Sequence, residues 1–252
     1  MTETYATHSV QLTVTRTDSQ FGSLEKSISG DYQLTIGDAL EEGWSKTQGC
    51  KGTIWLATLF YIVAALAIGL VAGLMGVVLE LLGLSESLSG VIGEVAAWVA
   101  ATPLWAGYLM IGVRRATDLQ VRARSVFDYL PQMVNLVITY LLSVLLIMVG
   151  LVLFVLPGIY LGCSYCLAIQ LVADKNLSPW QALEASRKAI TKKWFTVFGL
   201  TVMITFIVVV SAIPLGIGLI WTVPWYLVVM GILYRNVFGI EQSPPPAAES
   251  IP

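Results

Sequence analysis

The chain has 252 residues, 56% of them hydrophobic and only 12% charged, with a mean hydropathy of +0.78. Soluble domains carry roughly 25% charged residues, so this composition excludes an ordinary soluble domain and points to an integral membrane protein. A net charge of −2 carries no nucleic-acid signal, and three cysteines with one histidine, His8, argue against a structural zinc or haem site.

Residues 1–34 are rich in Thr and Ser and read as a polar N-terminal tail. Within it Gln11–Thr15 alternates like a short strand, which suits a small hairpin or a partner-binding segment. No signal-peptide pattern occurs in residues 1–50. A helix is predicted from Thr35-Ile36-Gly37-Asp38, carrying Ala39, Leu40, Gly43 and Trp44 and ending near Gly49. The stretch 52–79 is free of charge and long enough to span with tilt. Glu80, Glu86 and Glu94 bracket a short loop, and a second span runs over 93–113 to Arg114-Arg115, with a kink expected at Pro103. Ser125-Val126-Phe127-Asp128 reads as another helix cap. Residues 129–173 contain no Asp, Glu, Lys or Arg and suit two spans divided at Pro157-Gly158. Residues 194–234 repeat this, divided around Pro214–Gly218. Six spans result, approximately 53–79, 93–113, 133–155, 158–173, 195–213 and 218–238. The Pro-rich tail 240–252 is expected to be disordered.

Between spans 4 and 5, Ser178-Pro179-Trp180-Gln181 offers a hydroxyl N-cap, Pro at the first helical position and Gln to close a capping box. The helix that follows places Trp180, Leu183, Ile190 and Trp194 near one face, with Arg187, Lys188, Lys192 and Lys193 around the rest. It reads as a basic helix at the membrane surface.

The fourteen Lys and Arg residues segregate: four in the N-terminal region, four after span 2, five after span 4 and one at the end of span 6. The loops after spans 1, 3 and 5 contain none. The positive-inside rule therefore predicts that both termini lie in the cytoplasm. Three segments also share a pattern of hydroxyl, polar residue three on and Leu five on: Thr35–Leu40, Ser125–Leu130 and Ser178–Leu183. Each precedes a pair of spans, as if a surface helix plus a transmembrane hairpin were used three times. The expected fold is all-α, a polytopic membrane protein of six transmembrane helices in three hairpins with cytoplasmic amphipathic helices.

The run from Thr102-Pro103-Leu104-Trp105-Ala106-Gly107-Tyr108 through VFDYLP, LPGIYL, VADKNLSPWQALEASRKAITKKW and GIGLIWTVPWY resembles a broad prokaryotic family of six-span membrane proteins. Its relatives include the membrane domain joined to some glycerophosphoryl diester phosphodiesterases. The resemblance covers roughly residues 35–239. In the fused proteins the phosphodiester chemistry belongs to a separate soluble domain, whose histidine and acidic residues this chain lacks. The resemblance therefore implies a membrane module and not the enzyme.

Candidate chemistry is sparse. Cys163-Ser164-Tyr165-Cys166 is a CxxC that suits a redox pair, but Gly158, Gly162 and Cys166 also form a small-residue stripe that suits helix packing. Ala65, Gly69 and Gly73 form a similar stripe on span 1. The span centres offer only Thr139, Tyr140, Ser143 and Gln170 as polar groups. That argues against ion-coupled transport but leaves passage of apolar or lipid-like molecules open. Trp105, Trp180, Trp194, Trp221 and Trp225 read as interfacial anchors. No phosphate loop, catalytic triad or metal-ligand cluster is present, so neither catalysis nor a cofactor is expected. The first functional reading is a non-enzymatic accessory or scaffolding protein acting through its cytoplasmic helices. Its contact residues would be Arg187, Lys188, Lys192, Lys193, Trp180 and Trp194, and its partners membrane lipids or another membrane protein. The second is a permeation pathway for a small or lipid-like substrate, and the third an intramembrane redox protein. A polar cavity at the midplane would favour the second, a closed interior the first. The oligomeric state is left open.

Overall fold

The structure, a computed structural model, describes residues 21–241. The strand-like Gln11–Thr15, His8 and the Pro-rich stretch from Ser243 lie outside the described residues. Among the described residues the chain is helical throughout, without strands.

The segment expected as polar tail already folds back at residue 21. A short helix α1 (Leu24–Ser29) is followed by Tyr32 and Leu34, both buried in the core. Helix α2 (Ile36–Thr47) follows and places Ala39 and Gly43 inward while Trp44 stays exposed. Next come two long helices, α3 (Lys51–Leu81) and α4 (Glu86–Ala116), 31 residues each and packed against one another. Helix α4 continues through Pro103. Helix α5 (Met133–Leu153) ends at Phe154, which is extended. Helix α6 (Val155–Ser164) then begins with Pro157 in its first turn, where its missing N–H costs nothing. After a turn at residues 165–167 comes α7 (Ala168–Lys175), then α8 (Pro179–Lys192), α9 (Trp194–Ala212) and α10 (Leu219–Phe238). The turn between α9 and α10 holds Leu215 and Gly216 at positive φ, within the expected Pro214–Gly218 break.

Five of these segments are long and apolar enough to cross a membrane: Lys51–Leu81, Glu86–Ala116, Ala123–Leu153, Val155–Lys175 and Trp194–Ala212. Helix α10, predicted as a sixth span, has the length but not the composition. It carries Trp221, Trp225, Tyr226, Tyr234, Arg235 and Asn236. Its position explains why: Leu227 to Arg235 are all buried, so protein and not lipid surrounds this stretch.

A very close backbone approach joins α10 to α4. A Cβ on Gly231 would lie 2.2 Å from the Gly112 carbonyl oxygen, and one on Gly112 would lie 2.0 Å from that of Leu227. Backbone meets backbone here, the close approach that small residues permit in membrane helices. At the charged end of the bundle Arg235, 5% exposed, closes a bidentate ion pair with Glu42 of α2, both N–O distances being 2.7 Å. The same guanidinium donates to the Ala116 carbonyl at 2.6 Å. One side chain thus ties α2, α4 and α10 together with charge-assisted bonds. Nearby, Tyr234 donates to Asp174 of α7 at 2.7 Å.

Of the three repeated helix starts, Thr35 and Ser178 stand at helix N-caps, and Gln181 Oε1 accepts from the Ser178 N–H at 3.3 Å. Ser125 does not. It sits buried in a 3-10 turn (Ala123–Phe127), where its hydroxyl accepts from Arg114 at 3.0 Å, and the helix starts only at Met133. The reason is packing: a Cβ on Gly107 of α4 would lie 2.2 Å from the Val126 carbonyl oxygen, so the turn lies directly on α4.

Candidate functional site

Helix α8, the basic helix, does not lie free at a surface. It packs against α1, α5, α6 and α7, burying Leu183 and Ile190 together with Ala182, Ala185, Ser186 and Ala189. The six residues expected as a contact site are scattered around it. Trp180 is exposed, and Lys188 is exposed and paired with Glu184 at 2.9 Å, which holds that carboxyl below its usual range. Arg187 is half-buried and Lys192 exposed, the stem of Lys192 lying against Gly30. Lys193 turns inward, donating to the Tyr32 carbonyl with its ammonium 4.9 Å from the Tyr32 ring centre. Burial pushes the Tyr32 phenol up to about 12. Trp194 stacks on Phe198 at 4.8 Å. These residues knit α8 to the bundle more than they gather into one surface.

A cavity of about 300 Å³ lies instead inside the bundle, bounded by α4, α5, α6, α7, α9 and α10. Helix α5 contributes Tyr140 and Ile147, 7 and 14 residues from its start at Met133, about 10 and 21 Å along its axis. The cavity therefore sits at mid-height of helices able to cross a membrane. Val144 on α5 and Thr205 on α9 are its exposed wall residues, so it opens on the side of those two helices.

The wall is half built by a broken helix. Gly162, Tyr165, Cys166, Ile169 and Gln170 straddle the turn at residues 165–167 between α6 and α7. A helix broken in mid-membrane frees backbone carbonyls that must find partners. Ser186 of α8 supplies one, its hydroxyl donating to the Ser164 carbonyl at 2.7 Å. The basic helix thus braces the break.

Polar groups converge on the space: Tyr140, Ser143, Tyr165, Gln170, Thr201, Thr205 and Tyr226, with none of the lining residues charged. Ser143 donates its proton to the Thr139 carbonyl at 2.7 Å, Thr201 to Val197 at 2.9 Å and Thr205 to Thr201 at 2.8 Å. Each hydroxyl oxygen keeps only acceptor capacity for the cavity. Gln170 is 1% exposed, and its Oε1 is buried without a hydrogen-bond partner. A buried orphan acceptor costs about 1–3 kcal/mol and calls for an explanation.

The chain matches no protein-family model, no curated protein and no solved structure. What the cavity does must be read from its own chemistry.

The cysteines divide. Cys166 lines the cavity, whereas Cys163 is buried and outside the lining; both are free thiols, as is Cys50. Among the described residues no group of three His, Cys, Asp or Glu could hold a metal. The small-residue stripe divides too. A Cβ on Gly158 would strike Leu151 at 2.3 Å, so Gly158 packs on α5, but Gly162 faces open space. On α3 a Cβ at Gly69 or Gly73 would meet nothing within 4 Å, and both line a crevice against Gly90 and Gly93 of α4. Two tryptophans expected as interfacial anchors are also relocated. Trp225 is buried and donates to the Leu40 carbonyl at 3.1 Å, and Trp105 lines the cavity beside Tyr61 and Tyr108. Sequence reading named Tyr140, Ser143 and Gln170 without uniting them. The available signal was spacing: Tyr140 and Ser143 lie three apart and Thr201 and Thr205 four apart, each pair on one helix face.

Proposed function

We propose that this chain is a non-enzymatic, six-span protein of the prokaryotic cytoplasmic membrane that takes a small or lipid-like molecule into the cavity, as a binding or permeation site. The carrying observation is the partnerless Gln170 Oε1, buried in an uncharged wall at mid-height beside a broken helix. In membranes such buried polar groups and discontinuous helices accompany substrate sites. Helix α10 is the sixth span in this reading, shielded from lipid by its neighbours, and the spans pair as α3/α4, α5/α6–α7 and α9/α10. The family resemblance around LPGIYL and SPWQALEAS fits a membrane module of this kind.

The decisive test is purification in mild detergent with mass spectrometry of bound small molecules, wild type against Gly162→Leu. Gly162 lines the cavity, and a Cβ there would meet nothing within 4 Å. A species held by wild type and lost from the variant is the expected result. Equal retention by both contradicts the proposal. Orientation is tested separately in a cysteine-free background. Cysteines at Ser87 or Ile217 should react with an impermeant reagent outside intact cells, whereas cysteines at Arg122 or Lys188 should not.

An accessory role through the cytoplasmic helices stands second. It is supported by the exposed Trp180 and Lys188 and the half-buried Arg187, which leave an outward face on α8 for anionic headgroups or a partner.

A further inference from the structure

From the chemistry of the lining we infer that the cavity selects an uncharged molecule with an apolar body and a hydroxyl group placed against the Gln170 amide. This rests on the cavity being a ligand site and adds what the ligand must be. The surfaces offered by Trp105, Leu109, Val144, Ile147, Ile169, Ile204 and Met230 are apolar, so most of the ligand is hydrocarbon. The polar surfaces hold both kinds of group, for Tyr140, Tyr165 and Tyr226 carry hydroxyl protons they can donate. Ser143, Thr201 and Thr205 have given their protons to backbone carbonyls, and Gln170 Oε1 has no partner. A ligand carrying only acceptors, an ester or ketone, would leave Gln170 Oε1 as it stands. A hydroxyl donates and accepts at once, so it matches both the serine and threonine oxygens and the tyrosine hydroxyls.

Charge decides the rest. None of the lining residues is Asp, Glu, Lys or Arg, and at this depth a phosphate, carboxylate or ammonium would lose its hydration with no counter-ion to replace it. A phospholipid headgroup is therefore excluded from the cavity, and the basic residues of α8 do not reach into it. At about 300 Å³ the cavity lies at the small end of ligand pockets. It suits a small neutral molecule, or the hydroxyl-bearing end of a longer neutral lipid whose chain leaves between Val144 and Thr205.

The test uses the whole protein in lipid nanodiscs with three photoreactive probes of one chain length: a long-chain alcohol, the matching alkyl sulfonate and the matching hydrocarbon. Crosslinked residues are mapped by mass spectrometry. The alcohol should label the segments 140–147 and 201–205 about five-fold more than either other probe, the ratio that one net hydrogen bond supplies. Gln170→Met, which preserves the wall's shape while removing the amide, should reduce alcohol labelling there to the hydrocarbon level. Labelling of the lipid-facing α3 should stay unchanged, which reports that the variant is folded. If all three probes label the cavity equally, or Gln170→Met leaves the alcohol unaffected, the neutral-donor assignment fails while the cavity remains a ligand site. If no probe labels the cavity above α3, both the assignment and the ligand site fail, and the space holds water alone.

Discussion

Two sets of glycines, alike in the sequence, do opposite things in the fold. On α4 and α10, Gly112 and Gly231 bring two backbones together so closely that neither position has room for a methyl group. On α3, a Cβ at Gly69 or Gly73 would meet nothing within 4 Å: the two line a crevice shared with Gly90 and Gly93 of α4, and the same helix exposes Leu66, Leu70 and Val71. Within a single stripe Gly158 packs while Gly162 opens onto the cavity. A small residue in a membrane helix makes space, and what that space becomes depends on the element opposite: a backbone contact at Gly112 and Gly231, a cavity wall at Gly162, a crevice at Gly69 and Gly73.

Substitutions at these glycines should rank accordingly. Gly231→Val pushes a side chain onto a carbonyl that cannot rotate away. We expect a loss of about 3 kcal/mol or more, seen as failure to elute as a monodisperse species or as a large fall in the thermal transition. Arg235→Ala, which removes the guanidinium holding the same helices at their charged end, ranks next. Breaking a buried pair typically costs about 3–5 kcal/mol, but Glu42 is one-third exposed and stays partly hydrated, so about 2–3 is expected. Arg235→Lys should recover only part of this in the same melt, because an ammonium cannot make the bidentate contact.

Gly162→Leu should leave stability within about 0.5 kcal/mol while abolishing ligand retention, which separates the cavity from the packing interfaces. Gly73→Val should change neither property, since a Cβ there would meet nothing within 4 Å. The smallest effect concerns the Glu184–Lys188 pair. The lowered carboxyl favours the fold above its unfolded value and loses that effect as the pH falls through the acidic range. Glu184→Gln, which mimics the protonated carboxyl, should therefore match wild type at acid pH and be slightly less stable at neutral pH, flattening the acid limb of a stability profile.

The helices were legible because membrane spans declare themselves by uncharged length, and the break at Pro214–Gly218 because those residues punctuate locally. The break expected at Pro157-Gly158 falls instead at Phe154, because Pro157 is accommodated in the first turn of α6. The break at residues 165–167 was not legible. Tyr165, Cys166 and Leu167 include neither Gly nor Pro, and the bond that braces the break comes from Ser186, 22 residues from Ser164. Ser125 read as a cap because its local pattern is cap-like, but Arg114 and the backbone of α4 claim it. Arg235 read as a charge at a span's end, while its partner Glu42 lies 193 residues away. The cavity residues were visible one at a time. Only the ring of helices shows that Tyr140, Gln170, Thr201 and Tyr226 share one space.

The central claim, that a broken helix at mid-membrane frames a ligand cavity, is most directly tested by an experimental structure of the protein in a lipid environment. It should show α6 and α7 interrupted at residues 165–167 and non-protein density within hydrogen-bonding distance of Gln170 Oε1. A continuous helix through those residues, with the Gln170 amide bonded to a neighbouring side chain and the space closed, would contradict the account.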